Sequence, residues 1–206
     1  MKIDTVFCGM MGENAYVVAD EATKKAFIVD PGAVEREINT IIDENGYDVE
    51  YIILTHGHGD HIGGVSYYRA KYENAKVVAC SAEKELLATP AMNLSMQCTG
   101  KDIALEADIW VNDGDTLEVG NMKLRFIHTP GHTEGGMCIL ADDTLFSGDT
   151  LFCQSIGRTD FPGGCFTEIV ESIRKKLLVL PESTVVYPGH MGPTTIGIEK
   201  RSNPFV

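Results

Sequence analysis

Apolar positions along the chain alternate between short continuous runs and helical spacing, and that alternation sets out the elements. Residues 3–8, 15–19 and 26–30 are runs of strand length, punctuated by Gly12 and Asn14. Asp30-Pro31-Gly32 supplies a turn, the spacing over 34–44 predicts a helix, and Gly46 provides its stop. Tyr51-Ile52-Ile53-Leu54 is an unbroken apolar run, which reads as a buried strand. A Gly- and His-rich segment follows, and a helix is predicted from Ile62 to about Tyr72. Residues 76–79 read as a strand and 82–88 as a short helix, whereas 90–110 shows no clear period. Strands are predicted over 116–119, 122–127, 137–141 and 144–146, the last helix over 166–178 and the last strand over 184–187. Strands and helices interleave without strict β-α-β alternation, which suggests two sheets in mixed layers with helices outside.

The length of 206 residues suits one large domain, with no seam for a second. Hydrophobic residues at 44% and charged residues at 23% place the chain among globular proteins. Charge narrows the partners: 17 Lys+Arg against 30 Asp+Glu leave a net −13. Nucleic acid is disfavoured, because phosphate binding needs a basic footprint, and an anionic membrane surface is disfavoured for the same reason. Small anionic substrates stay open, since a bound metal can dominate the local field. The start Met1-Lys2-Ile3-Asp4 carries no apolar signal core and no run reaches the length of a membrane span, so the expected address is the cytoplasm. Cys8, Cys80, Cys98, Cys138, Cys153 and Cys165 form no C-x-x-C pair and read as free thiols, several of them packed as small hydrophobes.

The chemistry-bearing residues fall in loops just after predicted strands. The first loop is Thr55-His56-Gly57-His58-Gly59-Asp60-His61. In an extended segment residues two apart face the same way, so His56 and His58 can grip one ion together. Where the chain turns into a helix, Asp60 and His61 swing aside, placed for a second ion. Gly57, Gly59, Gly63 and Gly64 permit the tight backbone path. His132 in Thr129-Pro130-Gly131-His132-Thr133, Asp149 in Ser147-Gly148-Asp149-Thr150 and His190 in Tyr187-Pro188-Gly189-His190 occupy the same kind of position. Five of the six histidines are thus used, and imidazoles with carboxylates suit zinc, iron or manganese. The sixth, His128, reads as structural or supporting. Arg158 with Asp160 reads as an ion pair holding its loop, and Cys153 and Cys165 as packing residues. Of Tyr67 and Tyr68, one ring is expected inward and the other at the surface.

At these residues the chain resembles the metallo-β-lactamase superfamily, whose signature is H-x-H-x-D-H followed by separate His, Asp and His loops. More narrowly it resembles the short glyoxalase II-like (hydroxyacylglutathione hydrolase-like) members. The supporting segments are Ile28-Val29-Asp30-Pro31-Gly32, the loop from Thr55 to Gly64, Thr129 to Thr133, Ser147 to Phe152, Gly157-Arg158-Thr159-Asp160-Phe161 and Asn203-Pro204-Phe205. The resemblance implies one α+β domain over residues 1–206, a four-layer αββα sandwich with the metals at one sheet edge. It implies that His56, His58 and His132 hold one metal, that Asp60, His61 and His190 hold another, and that Asp149 bridges the two. Asp30 matches the family's motif aspartate, which orients the metal loop without ligating. The cofactors implied are two divalent ions, zinc foremost, with iron or manganese as alternatives.

A hydroxide shared between two such cations is a nucleophile at neutral pH, because zinc lowers the pKa of bound water from 15.7 to about 7. Asp60 and Asp149 are the candidate catalytic residues, Asp60 also as a proton acceptor. The implied reaction is hydrolysis of a small-molecule thioester of the S-lactoylglutathione type. The longer glyoxalase II proteins carry a C-terminal helical domain that supplies glutathione contacts. None is seen in this sequence, so thioester cleavage is better supported than glutathione as the thiol. Cys165 and Met191-Gly192-Pro193 depart from the family pattern near the pocket mouth. Two alternatives stand beside this reading: a mono-iron persulfide dioxygenase, similar at the H-x-H-x-D-H and G-R-T-D-F segments, and a lactonase or other ester or amide hydrolase. Asp149 disfavours the main zinc β-lactamase group, which has cysteine there.

Overall fold

The continuous apolar runs are strands because both of their faces are covered. In the protein's structure, a computed structural model describing residues 1–206, two six-stranded sheets pack face to face. The first contains β1 (Lys2–Cys8), β2 (Glu13–Ala19), β3 (Lys25–Val29), β4 (Asp48–Ile53), β5 (Lys76–Cys80) and β6 (Ile109–Val111), in that order. The second contains β7 (Thr116–Val119), β8 (Met122–His128), β9 (Met137–Ala141), β10 (Thr144–Gly148), β13 (Val185–Pro188) and β14 (Thr194–Thr195), ordered β14-β13-β10-β9-β8-β7. Between β10 and β13 a separate hairpin is formed by β11 (Leu151–Phe152) and β12 (Ser155–Ile156). Strands β3 to β6 run parallel, as do β10 and β13; the remaining pairs are antiparallel.

The period-2 geometry of a strand sorts each run between two cores. In β2, Ala15, Val17 and Ala19 face an outer core with Ile38 and Ile42 of α1 (Arg36–Asn45). Tyr16 and Val18 face the inter-sheet core with Phe27, Phe126 and Phe146. On the far side of the second sheet, Cys138, Leu145 and Val186 pack under Ile169, Ile173 and Leu177. The result is the αββα sandwich, with helices on both outer faces.

The helices depart from the expected spans in instructive ways. The single helix expected over 62–72 is two, α2 (Gly59–Ile62) and α3 (Val65–Lys71). The break lies at Gly63-Gly64, which press against the Pro31–Ala33 backbone so closely that a Cβ on Gly64 would collide with it. As expected, Tyr68 of α3 is buried and Tyr67 is exposed. The aperiodic stretch 90–110 is not featureless. After α4 (Lys84–Ala88) come two single-turn helices, α5 (Pro90–Asn93) and α6 (Ser95–Thr99), and then edge strand β6. The predicted helix 166–178 is α7 (Phe166–Ser172) continued by a π-helical turn over Ile173–Leu177. It is not the last: α8 (Ile196–Ser202) follows β14, its first turn capped by the Thr195 hydroxyl, which accepts from Ile198 N. No helix is long and apolar enough to cross a membrane.

The inter-sheet core should be the least forgiving part of this arrangement. Phe146 is fully buried against Tyr16 and Phe27, with ring centroids 5.2 and 6.1 Å away. Phe146→Ala is expected to cost about 3–5 kcal/mol, read from urea unfolding. A loss below about 1 kcal/mol would mean that the sheets close over the vacated space.

Candidate metal centre

Every candidate ligand hangs from the C-terminal end of a strand, and those ends meet along one edge of the sandwich. Asp30 follows β3, the segment from Thr55 to His61 follows β4, His132 follows β8, Asp149 follows β10, and His190 follows β13. Parallel strands point their C-termini the same way, so loops distant in sequence converge on one crevice. Hydrogen bonds then fix the loops to one another. Met137 N donates to Thr55 O at 2.9 Å, joining the two sheets beside the first loop. Asn14 Nδ2 donates to Pro188 O at 3.0 Å and Met191 O at 2.8 Å, holding the loop that carries His190. The Tyr16 hydroxyl also donates to Pro188 O.

Three groups of potential ligand atoms lie within 4.8 Å of one another: His56, His58 and His132; Asp60, His61 and His190; and Asp30, His56 and His61. The first two are the groupings that the family resemblance implied. Asp149 lies among them, with carboxylate oxygens 3.4 Å from His61 Nε2 and 3.7 Å from both His132 Nε2 and His190 Nε2. Asp60 Oδ2 is 3.4 Å from His190 Nε2. All seven residues are therefore brought together.

Neighbouring groups set the ring tautomers. His132 Nδ1 donates to the Arg158 carbonyl at 2.7 Å, which leaves the Nε2 lone pair facing His58 Nδ1 at 2.9 Å. His61 Nδ1 donates to Asp30 Oδ2 at 2.9 Å, which leaves its Nε2 facing Asp149. The same Asp30 carboxylate accepts from Thr55 N at 2.7 Å and from the Thr55 hydroxyl. One carboxylate thus holds both the loop after β4 and the His61 ring.

The donor set fits a borderline cation. Four buried atoms in the cluster have no hydrogen-bond partner: Nε2 of His56, of His58 and of His61, and Oδ1 of Asp149. Buried polar atoms left unpaired cost about 1–3 kcal/mol each, and imidazole nitrogen with carboxylate oxygen suits zinc, iron or manganese. Burial, reinforced by neighbouring imidazoles, pushes His58 down to about 3 and holds His56 well below the ordinary histidine range. Their lone pairs are therefore free at neutral pH. Burial opposes the charge of Asp60, but the hydrogen bond from His190 and the field of His61 outweigh it and hold the carboxyl below its usual range.

A cavity of about 190 Å³ opens over the cluster, walled by Met11, Leu94, Phe152 and Phe161, with Cys98 and Arg158 at its sides. No sequence pattern marks these four residues as one wall, because they come from four separate loops and short elements. Also missed was Glu83, buried at 1% exposure and bonded to two ligand loops. Its position just after β5 is the one signal that could have found it. Arg158 and Asp160 do pair, at 2.9 and 2.8 Å, but at the surface, with the guanidinium 4.2 Å above the Phe161 ring. His128 lies outside all three ligand groups, its Nε2 on the Glu134 carbonyl at 2.8 Å. Cys153 and Cys165 are half-buried, and Cys8, Cys80 and Cys138 are buried free thiols.

Residues 9–190 match the metallo-beta-lactamase superfamily, and the chain belongs to it. It is a metal-dependent hydrolase of that superfamily. It is 33% identical to the hydroxyacylglutathione hydrolase GloC of Haemophilus influenzae over 211 aligned residues, covering 100% of this chain and 98% of that protein. Among solved structures it is similar to the BLEG-1 B3 metallo-beta-lactamase, with 38% identity, a TM-score of 0.92 and 99% of each chain covered. It is also similar to ETHE1 from Myxococcus xanthus, with 28% identity, a TM-score of 0.80, and 99% and 84% of the two chains covered.

The depressed basicity of His58 has a measurable sign. Below about pH 6.5 the unfolded chain takes up a proton on His58 that the folded chain refuses until about pH 3, so stability is lost as pH falls between those values. In metal-stripped protein, His58→Gln is expected to flatten that loss by up to one proton, about 1.4 kcal/mol per pH unit. Urea unfolding at several pH values checks it. An identical slope in both proteins would mean that His58 protonates alike in the two states.

Proposed function

We propose that the protein hydrolyses a small-molecule thioester of the S-lactoylglutathione type, using two divalent ions, zinc foremost. The observation that carries this reading is the sharing of Asp149, which lies within 3.7 Å of histidines from both ligand groups. In this reading His56, His58 and His132 hold one ion, Asp60, His61 and His190 hold the other, and Asp149 belongs to both. When bound, the ions supply Lewis acidity and a water made acidic enough to attack at neutral pH.

The chain's own groups do the rest. Asp60, kept ionised beside His190, is placed to accept a proton at Oδ2. Met11, Leu94, Phe152 and Phe161 give the reacting face an apolar wall. A covalent route through the pocket thiol is disfavoured, because burial and the adjacent Asp60 push Cys98 up and keep it protonated. Likeness to a hydroxyacylglutathione hydrolase at 33% identity supports the choice of thioester.

Two other readings have specific support. The ETHE1 likeness fits a mono-iron persulfide dioxygenase, and the BLEG-1 likeness fits cleavage of a β-lactam amide. Hydrolysis of S-D-lactoylglutathione, run beside a chromogenic cephalosporin and with metals counted on the same sample, separates the three. Saturable thioester cleavage with two ions per chain is the expected result. A single iron without hydrolysis would overturn the proposal in favour of the dioxygenase, and cephalosporin cleavage alone in favour of the lactamase. Asp149→Asn, which removes the shared charge, is expected to lower kcat/KM by more than about 100-fold. A variant within threefold of the wild type would remove Asp149 from the site.

A further inference from the structure

We propose that Glu83 is a positioning residue that sets the separation of the three-histidine group by clamping its two loops together. The inference rests on the metal reading of His56, His58 and His132 and on no particular substrate. Glu83 closes the 3₁₀ turn Ser81–Glu83 after β5 and is 1% exposed. Its Oε1 accepts from Gly57 N at 2.8 Å, and Gly57 is the residue between His56 and His58. Its Oε2 accepts from Gly135 N at 2.8 Å and from the Thr133 hydroxyl at 3.2 Å, and Thr133 directly follows His132. One carboxylate therefore grips both loops beside their ligands, and those loops belong to different sheets.

The fit is specific to a carboxylate. The two backbone partners are obligate donors, so each oxygen must accept. In glutamine one oxygen becomes an NH2 group, which sets donor against donor at either Gly57 or Gly135. Glycine at 135 belongs to the same device, because a Cβ there would overlap the Glu83 carboxylate and backbone. Leu86 and Leu87 close over Gly57 from the other side, 3.1 Å from where its Cβ would be. Burial pushes the Glu83 carboxyl up to about 7 even against the pull of its three donors. Across the clamp, His58 Nδ1 and His132 Nε2 face each other at 2.9 Å.

A second buried carboxylate supplies the control. Glu199 of α8 is fully buried and also accepts from three donors, Gln154 N, the Thr194 hydroxyl and Asn203 Nδ2, at 2.6–2.9 Å. It touches neither His loop. Glu83→Gln and Glu199→Gln should therefore lose comparable thermal stability, while only Glu83→Gln disturbs the metal group. The experiment is a zinc titration against a chromophoric chelator on full-length wild type and both variants, with the visible spectrum of the cobalt(II)-substituted forms recorded alongside. The expected result is a 10–100-fold weakening of one of two zinc sites in Glu83→Gln, with altered cobalt bands. Glu199→Gln should keep wild-type affinities and spectrum. Wild-type affinity in Glu83→Gln, or equal weakening in both variants, would overturn the inference. A wild-type chain that binds no metal would overturn the metal reading and this inference together. Because the titration uses no substrate, failure of the thioester assay alone leaves it standing.

Discussion

The carboxylate of Asp30 is the fixed point of the molecule's working edge. It lies at the end of β3 and accepts from the backbone and hydroxyl of Thr55 and from His61 Nδ1. One side chain thereby ties two parallel strands and the start of α2, and it decides which nitrogen of His61 faces the crevice. Asp30 itself sits at φ 45°, a left-handed conformation that aspartate tolerates better than most residues. Such a backbone persists only where the surroundings over-determine it. Here they do: Pro31-Gly32 turns at once, and Gly63 and Gly64 press onto that turn.

Much of this was legible because it is written in local rules. Unbroken apolar runs such as 51–54 signalled strands covered on both faces, and the layer structure follows from that. The seven polar residues stood out because they sit in glycine-rich loops after strands, and Asp30 stood out with them. The illegible parts have physical reasons. Helices α5 and α6 have four and five residues, too few turns for a periodic pattern to show. Strand β14 has two residues and exists only because β13 pairs with it. Glu83 looks like surface in the polar run Ser81-Ala82-Glu83-Lys84-Glu85, since only its partners from other loops make it an interior residue.

The chain's acidity also reads differently once the fold is seen. A net −13 suggests a solvated anionic surface, yet several carboxylates are interior. Glu13 is fully buried 3.9 Å from His61 Nδ1, and burial pushes its carboxyl well above the usual range. Asp30, Asp60 and Asp149 crowd the same region with little solvent to screen them. Like charges at that spacing repel strongly at low local dielectric. The relief available is positive charge placed among them, and the unpaired nitrogens and oxygen of the cluster offer it lone pairs.

The two trios that the family resemblance implied each take two members from the first sheet's loops and one from the second's: His56 and His58 with His132, and Asp60 and His61 with His190. Neither of these two trios lies within one half of the polypeptide. Both trios therefore form only where the loops of the two sheets meet. An ion held by either trio would act as a certificate of assembly, issued only to a chain whose two halves have met.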